Sequence, residues 1–448
     1  MSGSAGLEPP RRTKIEHFDD AVAYLESLRP GDIHPGLERI GWLCERLGHP
    51  ERVAPFIHVT GTNGKGSTSR LAAAVLSAAG RRTGLYTSPH LELITERIAV
   101  DSSAISETEF TDLTIRLAAE LDLALTDLPA PPTHFELLTA LGFMAFADAD
   151  AEALVLEVGL GGRFDATNVA DGAVSVITNV ALDHTEYLGA TRELIATEKS
   201  GIIKPGTVAV LGEQDPPIRA LLEAACAEVG ATPWRLGREF ELLDNVAHPA
   251  GRRISVRTPR GGYEDLLVPF HGAHQGYNAA CALAALDAFL ERPPDEGVVA
   301  EAFASVVNPG RFEVLGDRPT VVIDVAHNPH GVAALTTTLD EAFGARRRVV
   351  VIGINPHKQA EEMLARLVPE ARAVITTQVF DAPAMPATVL ARIASSLGHR
   401  LVRAAPDARE AVDLAFELAE PDDVVVCTGS HYWIGTVRGY LRERAEGC

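Results

Sequence analysis

The stretch Phe56-Ile57-His58-Val59-Thr60-Gly61-Thr62-Asn63-Gly64-Lys65-Gly66-Ser67 constrains this chain more than any other, because an apolar run ends in a glycine-rich turn carrying one lysine and several hydroxyls. Residues 56 to 60 have strand character, and Leu71, Val75 and Leu76 carry a helical pattern that stops near Gly80. The turn therefore joins a strand to a helix N-terminus, where backbone N–H groups face an anion. Glycines let the main chain approach phosphates, Lys65 reaches their outer oxygens, and Ser67 or Thr68 offers a hydroxyl to Mg²⁺. Residues Thr62, Asn63, Gly64, Lys65, Gly66 and Ser67 are thus the expected phosphate cradle of a bound ATP or GTP. The spacing departs from the usual P-loop, since only Thr62 and Asn63 separate Gly61 from Gly64-Lys65 and a glycine follows the lysine.

A chain of 448 residues exceeds one ordinary core, so two domains are expected. Past the first helix, apolar runs at Leu85-Tyr86, Ala153 to Val158, Ala173 to Thr178 and Val208 to Leu211 alternate with helical patterns, the rhythm of a parallel α/β sheet. Ile254 to Val256 and Leu266 to Val268, separated by Pro259-Arg260-Gly261-Gly262, predict an antiparallel hairpin appended to that sheet. Helices follow at Asn278 to Leu290 and Val298 to Val306, and Pro309-Gly310 marks an interdomain joint. Beyond it strands are expected near Val321 to Val325, Val349 to Ile352, Val374 to Thr376 and Val424 to Cys427, with helices between them. The fold class is α/β: a P-loop nucleotide-binding domain over residues 1–307, then a smaller Rossmann-like α/β domain over 311–448.

Several polar residues sit where a core strand should be apolar. Glu157 closes the run Leu154-Val155-Leu156 just before Gly159, Gly161 and Gly162, and a buried carboxylate there needs a cation; a glutamate turned to solvent at a sheet edge is the alternative. Thr87-Ser88-Pro89-His90, Asp183-His184 and Glu198-Lys199 also fall at or just past strand ends, the edge where open α/β sheets bind ligands. Taken singly, Asp183 reads equally as a helix cap and Lys199 as a solvated charge. In the second domain the strand Val321 to Val325 is interrupted by Asp324 and closed by His327-Asn328-Pro329, and Arg311 lies at the joint, placed to swing onto a phosphate.

Composition narrows the partners. A formal net charge of −21 argues against a nucleic-acid surface, and no stretch approaches the roughly 18 apolar residues of a membrane span. The five cysteines are scattered and odd in number, which points to a reducing cytoplasm rather than to disulfides or zinc. Residues 1 to 12 lack the apolar segment of a secretory leader and read as a loose tail.

Together these segments resemble the folylpolyglutamate synthase and dihydrofolate synthase family of the Mur ligase superfamily. Beside the loop itself, the likeness is carried by Ile33 to Ile40 (IHPGLERI), Tyr86 to Leu91 (YTSPHL), Thr133 to Glu136 (THFE) and Glu157 to Asn168 (EVGLGGRFDATN). It continues in Ala181 to Thr185 (ALDHT), Glu198 to Ile202 (EKSGI), Pro309 to Phe312 (PGRF), Asp324 to Pro329 (DVAHNP) and Gly429-Ser430. The resemblance implies a Mur-ligase-type central domain and a glutamate-ligase C-terminal domain, acting as a monomer on ATP, L-glutamate and dihydropteroate, a reduced folate, or both. It further implies an acyl phosphate made from a substrate carboxylate and ATP and captured by the amine of glutamate, with two Mg²⁺ ions. By that likeness Lys65, Glu157, His184 and Lys199 are the catalytic residues. Ser88 and Glu157 hold one metal, to which the loop reading adds Ser67, and His184 with a carbamylated Lys199 helps hold a second. Asn278, Arg311 and Asp324 bind the nucleotide, His327 and Ser430 lie nearer the glutamate, and Thr133, Phe135, Asp165 and Ala166 surround the pterin. Phe135 equally suits a core position beside Leu137, Leu138 and Leu141. One departure stands out: where relatives carry Asp-Lys-Asp, this chain reads Asn355-Pro356-His357-Lys358-Gln359, keeping the lysine and losing both acids.

Overall fold

A computed structural model describes residues 14–28, 35–124, 131–316, 318–378 and 384–446. The N-terminal tail, Ile33 and His34 of the IHPGLERI stretch, and Cys448 lie outside the described residues. Three sheets organise the described residues. The largest has eight strands in the order Ser103–Ala104, Ile98–Val100, Thr83–Tyr86, Ala153–Glu157, Phe56–Thr60, Val174–Ile177, Val208–Leu211, Thr232–Arg235. Its six strands from Thr83–Tyr86 onward run parallel and are bounded by helices, so the chain crosses back over a face between them. A six-stranded sheet in the order Glu313–Leu315, Thr320–Asp324, Val424–Thr428, Arg348–Ile352, Ala371–Thr376, Val402–Ala404 forms the second α/β unit.

Alternation along Phe56–Thr60 explains why this strand is central. Ile57 and Val59 enter a core shared with Leu71, Val75 and the alanine-rich helix Ala273–Leu290. Phe56 faces the opposite core, with Leu137, Leu141 and Phe146 of the helix His134–Asp148. Both faces are covered, as a parallel strand requires. Thr133 starts the latter helix by a capping box: its hydroxyl accepts from Glu136 N–H at 3.2 Å while the Glu136 carboxylate accepts from Thr133 N–H at 2.6 Å.

The expected hairpin exists, but it is not appended to the main sheet. Gly251–Arg257 and Gly262–Val268 pair antiparallel and recruit Glu241–His248 into a separate three-stranded sheet. Its inner residues Ile254, Val256, Tyr263 and Leu266 cover the helix Ala273–Leu290, so an apolar helix face captured what a sheet edge was expected to take. Glu241–His248 was missed because its exposed outer face, Leu243 and Val246 included, breaks the period-two alternation. Among the described residues, no helix is long and apolar enough to cross a membrane.

Candidate active site

The strand ends of both parallel sheets open into one cavity of about 830 Å³. On the central side the phosphate loop is held open by its own backbone. Gly64 has φ +85°, and a Cβ there would lie 2.2 Å from Asn278 Oδ1; a Cβ on Gly61 would lie 1.8 Å from Thr178 Oγ1. Glycine is thus required by both conformation and space. Thr178 Oγ1 and Asn179 Nδ2 donate to Asn63 O at 2.7 and 2.9 Å, which ties the loop to the neighbouring strand end. Lys65 opens the helix Lys65–Ala78 and curls back to donate to Gly61 O at 3.1 Å. Burial lowers its pKa, opposed by the nearby charges of Glu157 and Asp183.

Glu157 pairs in register with Val59, one residue before the end of the loop's strand, and is 4 % exposed, which removes the solvent-facing alternative. Its Oε2 accepts from Ser88 N–H at 3.1 Å. Burial pushes the carboxyl up in pKa, while Lys65, that N–H and Arg311 pull it down. Ser67 Oγ accepts from Asn308 Nδ2 at 2.8 Å. Lys199 is buried at 3 % exposure, not solvated, and burial together with Lys65 brings its pKa down to about 7. Its helix, Arg192–Ser200, approaches closely because Gly162 lacks a side chain: a Cβ there would lie 2.9 Å from both Glu198 O and Lys199 O. His184 sits at φ +49° with its pKa lowered to about 4 by burial, against the pull of Asp183. Among the described residues no three His, Cys, Asp or Glu side chains converge as a metal cage. The donor set nevertheless suits Mg²⁺, which takes one or two carboxylates and completes its shell with phosphate and water oxygens.

Models of a Mur ligase middle domain and of a Mur ligase glutamate ligase domain match residues 59–286 and 310–431. The Mycobacterium tuberculosis protein named dihydrofolate synthase/folylpolyglutamate synthase is 38% identical, over 98% of this chain and 96% of its own. The chain belongs to the dihydrofolate synthase/folylpolyglutamate synthase family. Among solved structures, Mycobacterium tuberculosis folylpolyglutamate synthase complexed with ADP superposes with a TM-score of 0.90 at 36% identity, covering 95% of this chain and 98% of that one. The Escherichia coli structure named FolC in complex with DHPP and ADP gives 0.86 at 32%, covering 96% and 98%. A bifunctional folylpolyglutamate synthase/dihydrofolate synthase with Mn, AMPPNP and L-glutamate bound gives 0.83 at 32%, covering 95% and 98%.

In this member of the folylpolyglutamate synthase family, Lys65, Ser67, Ser88, Glu157, His184 and Lys199 line the same cavity as the expected nucleotide, pterin and glutamate residues, whereas Thr68, Thr87, His90 and Asn328 do not line it. Phe135 lines the cavity and also packs against the core: it meets Tyr86 edge-on at 6.1 Å, and its ring covers Gly159, where a Cβ would lie 2.5 Å away. Asp165 is largely engaged within its own loop, accepting from Leu160 N–H at 2.9 Å and Thr167 Oγ1 at 2.5 Å, and Ala166 follows it into the buried turn. Asp324 accepts from Phe312 and Ala326 N–H at 2.9 and 2.8 Å. Arg311 stands beside His431, at 3.5 Å, and Ser430 Oγ donates to Asn355 Oδ1 at 2.9 Å.

Asp183 was read as a possible cap, and the structure gives it a larger place. Lys358, Asn328 and His327 all reach it from the C-terminal domain. Three other contacts among the lining groups were not foreseen from the sequence. Arg39 and Glu136 form a buried pair at 3.0 Å, Gln275 accepts from Asn278 at 2.9 Å, and His330 touches Asn63 at 3.0 Å. Only Gln275–Asn278 carried a local signal, the three-residue helical spacing that brings two side chains together.

Proposed function

We propose that this protein is an ATP-dependent ligase that adds L-glutamate to dihydropteroate or to the glutamate tail of a reduced folate. The single observation that carries this reading is the cavity itself, which joins the phosphate loop, the buried Glu157 and Lys199, and the His327–Ser430 face of the second domain. Family relatives solved with ADP, AMPPNP, Mn and L-glutamate support it.

In the reaction, a carboxylate oxygen of the pterin acid attacks the γ-phosphorus of ATP, and the bond to ADP breaks. The amine of glutamate then attacks the acyl carbon, phosphate leaves with the bonding electron pair, and the amine proton departs with it. Positioning and charge neutralisation carry most of such a path. Lys65 leaves its carbonyl contacts for the β- and γ-phosphates, within the cradle of residues 61–67, with Asn278, Arg311 and Asp324 holding the nucleoside side. Thr133, Phe135, Asp165 and Ala166 hold the pterin, whose flat ring suits the aromatic face of Phe135. His327 and Ser430 orient the glutamate. Bound Mg²⁺ supplies Lewis-acid neutralisation of the phosphates, with Ser67, Ser88 and Glu157 as ligands of one ion and His184 and a carbamylated Lys199 as ligands of a second. A lysine with a pKa of about 7 holds much of its amine neutral, so that it can add CO₂ and release a proton.

We assign the phosphates and the acid to residues 1–307 and the glutamate side to 311–448, whose Arg311 and Asp324 also reach the nucleotide, in a monomer of the cytoplasm. The buried, unpaired thiols of Cys44, Cys226, Cys281 and Cys427 suit a reducing compartment. The test is phosphate release with ATP, Mg²⁺ and L-glutamate, offering dihydropteroate and tetrahydrofolate separately and weighing the products by mass spectrometry. A glutamate-sized mass gain on either acid supports the ligase; turnover that ignores both acids overturns it.

A further inference from the structure

Asp183 follows the strand Val174–Ile177 of the central domain, yet most of its side-chain partners belong to the other domain. Its Oδ1 accepts from Lys358 Nζ at 2.5 Å and its Oδ2 from Asn328 Nδ2 at 2.9 Å, and His327 Nε2 stands 3.5 Å from Oδ2. The carboxylate is 8 % exposed.

Asn328 is oriented for this contact. Its Oδ1 caps the helix Pro329–Phe343 by accepting Gly331 N–H at 2.7 Å, so its amide nitrogen must point across the domain boundary. There it also donates to Asn63 Oδ1 of the phosphate loop at 3.2 Å. One amide thus ties both Asp183 and the loop to the C-terminal domain. Lys358 sits between Asn355 and Gln359, with no acid flanking it, and among the described residues Asp183 is the carboxylate it pairs with.

We propose that Asp183 is the positioning residue that docks the C-terminal domain onto the phosphate loop, gathering Lys358, Asn328 and His327 so that the glutamate face of the cavity meets the acyl phosphate. The kinetic half of this proposal rests on the ligase reading; the docking half rests on the fold alone. Contacts far from Asp183, such as Arg252 with Glu341 and Arg438 with Glu92, also join the two domains, so loss of its charge leaves them tethered and folded.

The experiment compares wild type, Asp183→Asn, Lys358→Met and the double variant by small-angle X-ray scattering with a non-hydrolysable ATP analogue and Mg²⁺. Nucleotide affinity and steady-state kinetics are measured alongside. Wild type is expected to compact on nucleotide binding, and Asp183→Asn to stay expanded while keeping its melting temperature. In the variant, KM for L-glutamate should rise about tenfold with nucleotide affinity within about twofold of wild type. Lys358→Met should reproduce the effect in part, and the double variant should be no worse than Asp183→Asn, the mark of two groups acting through one contact. The proposal is overturned if Asp183→Asn compacts like wild type, if nucleotide affinity falls as far as glutamate affinity, or if the two single effects multiply. Should wild type turn over neither pterin acid, the ligase reading fails while scattering and nucleotide binding still decide the docking.

Discussion

The two mainly parallel sheets meet the cavity with their C-terminal strand ends, but they furnish it by different means. After Phe56–Thr60 the work is done by main chain: Gly61 and Gly64 hold positive φ, the helix Lys65–Ala78 begins at the cavity, and Thr178 and Asn179 brace the turn by its own carbonyl and amide. After Thr320–Asp324 and Val424–Thr428 the work is done by side chains, with Asn328, His327 and Ser430 reaching out from ordinary strand-to-helix turns. A backbone cradle is rigid and cannot be altered without changing its glycines. A side-chain face depends on where the whole domain sits, so it can be switched by docking.

Damage to the backbone cradle should destroy nucleotide handling, and damage to the face made by Asn328, His327 and Ser430 should spare it. The largest effect is expected for Lys65→Ala, which removes the cationic side chain from the cradle: phosphate release should drop about 10³-fold, and a drop of only a few-fold would place the phosphates elsewhere. Gly64→Ala comes next. With φ +85° and a Cβ driven to 2.2 Å from Asn278 Oδ1, it should destabilise the protein by about 1–3 kcal/mol and weaken nucleotide binding, read by thermal unfolding and calorimetry.

A smaller effect separates the braced core beneath the cradle from the docking face. His58 is fully buried, its Nε2 lies 2.8 Å from Thr167 Oγ1, and burial lowers its pKa from 6.5 to about 3. The unfolded chain therefore binds a proton that the folded chain refuses. The stability contribution is complete above pH 6.5 and is lost as the pH falls toward 3, with a slope of about 1.4 kcal/mol per pH unit. His58→Gln should flatten that acid limb in urea titrations by the equivalent of one proton; an unchanged slope would mean other buried histidines, such as His274, govern it. The smallest effect belongs to Glu341→Gln at the domain boundary. Its partner Arg252 keeps hydrogen bonds to Asn245, so the loss should stay below about 1 kcal/mol and leave nucleotide affinity unchanged.

The same contrast decides how much was legible beforehand. Glycine spacing, one lysine and an acid inside an apolar strand are local signals, and they located Gly61 to Ser67 and Glu157 because each breaks a pattern its neighbours set up. Lys199 and His184 were found by falling just past strand ends or on the helix beyond, although the burial of Lys199 was not readable from its charge alone. The Arg39–Glu136 pair lies 97 positions apart in the chain and Asp183–Lys358 lies 175 apart, and nothing local to either partner names the other. The edge-to-core choice made by Gly251–Arg257 and Gly262–Val268 was hidden for a similar reason: a hairpin's alternation tells which face is apolar, not what will cover it.

By itself the sequence determined the α/β class, the glycine-rich turn between strand and helix, and the family, because these follow from periodicity, backbone freedom at glycine and motifs confined to a few neighbouring residues. Tertiary structure alone decided that the chosen residues share one cavity, that Lys199 loses its proton near neutrality, and that Asp183 is a meeting point between domains. Desolvation and contact across a boundary depend on everything packed around a group, and no short stretch of chain contains that information.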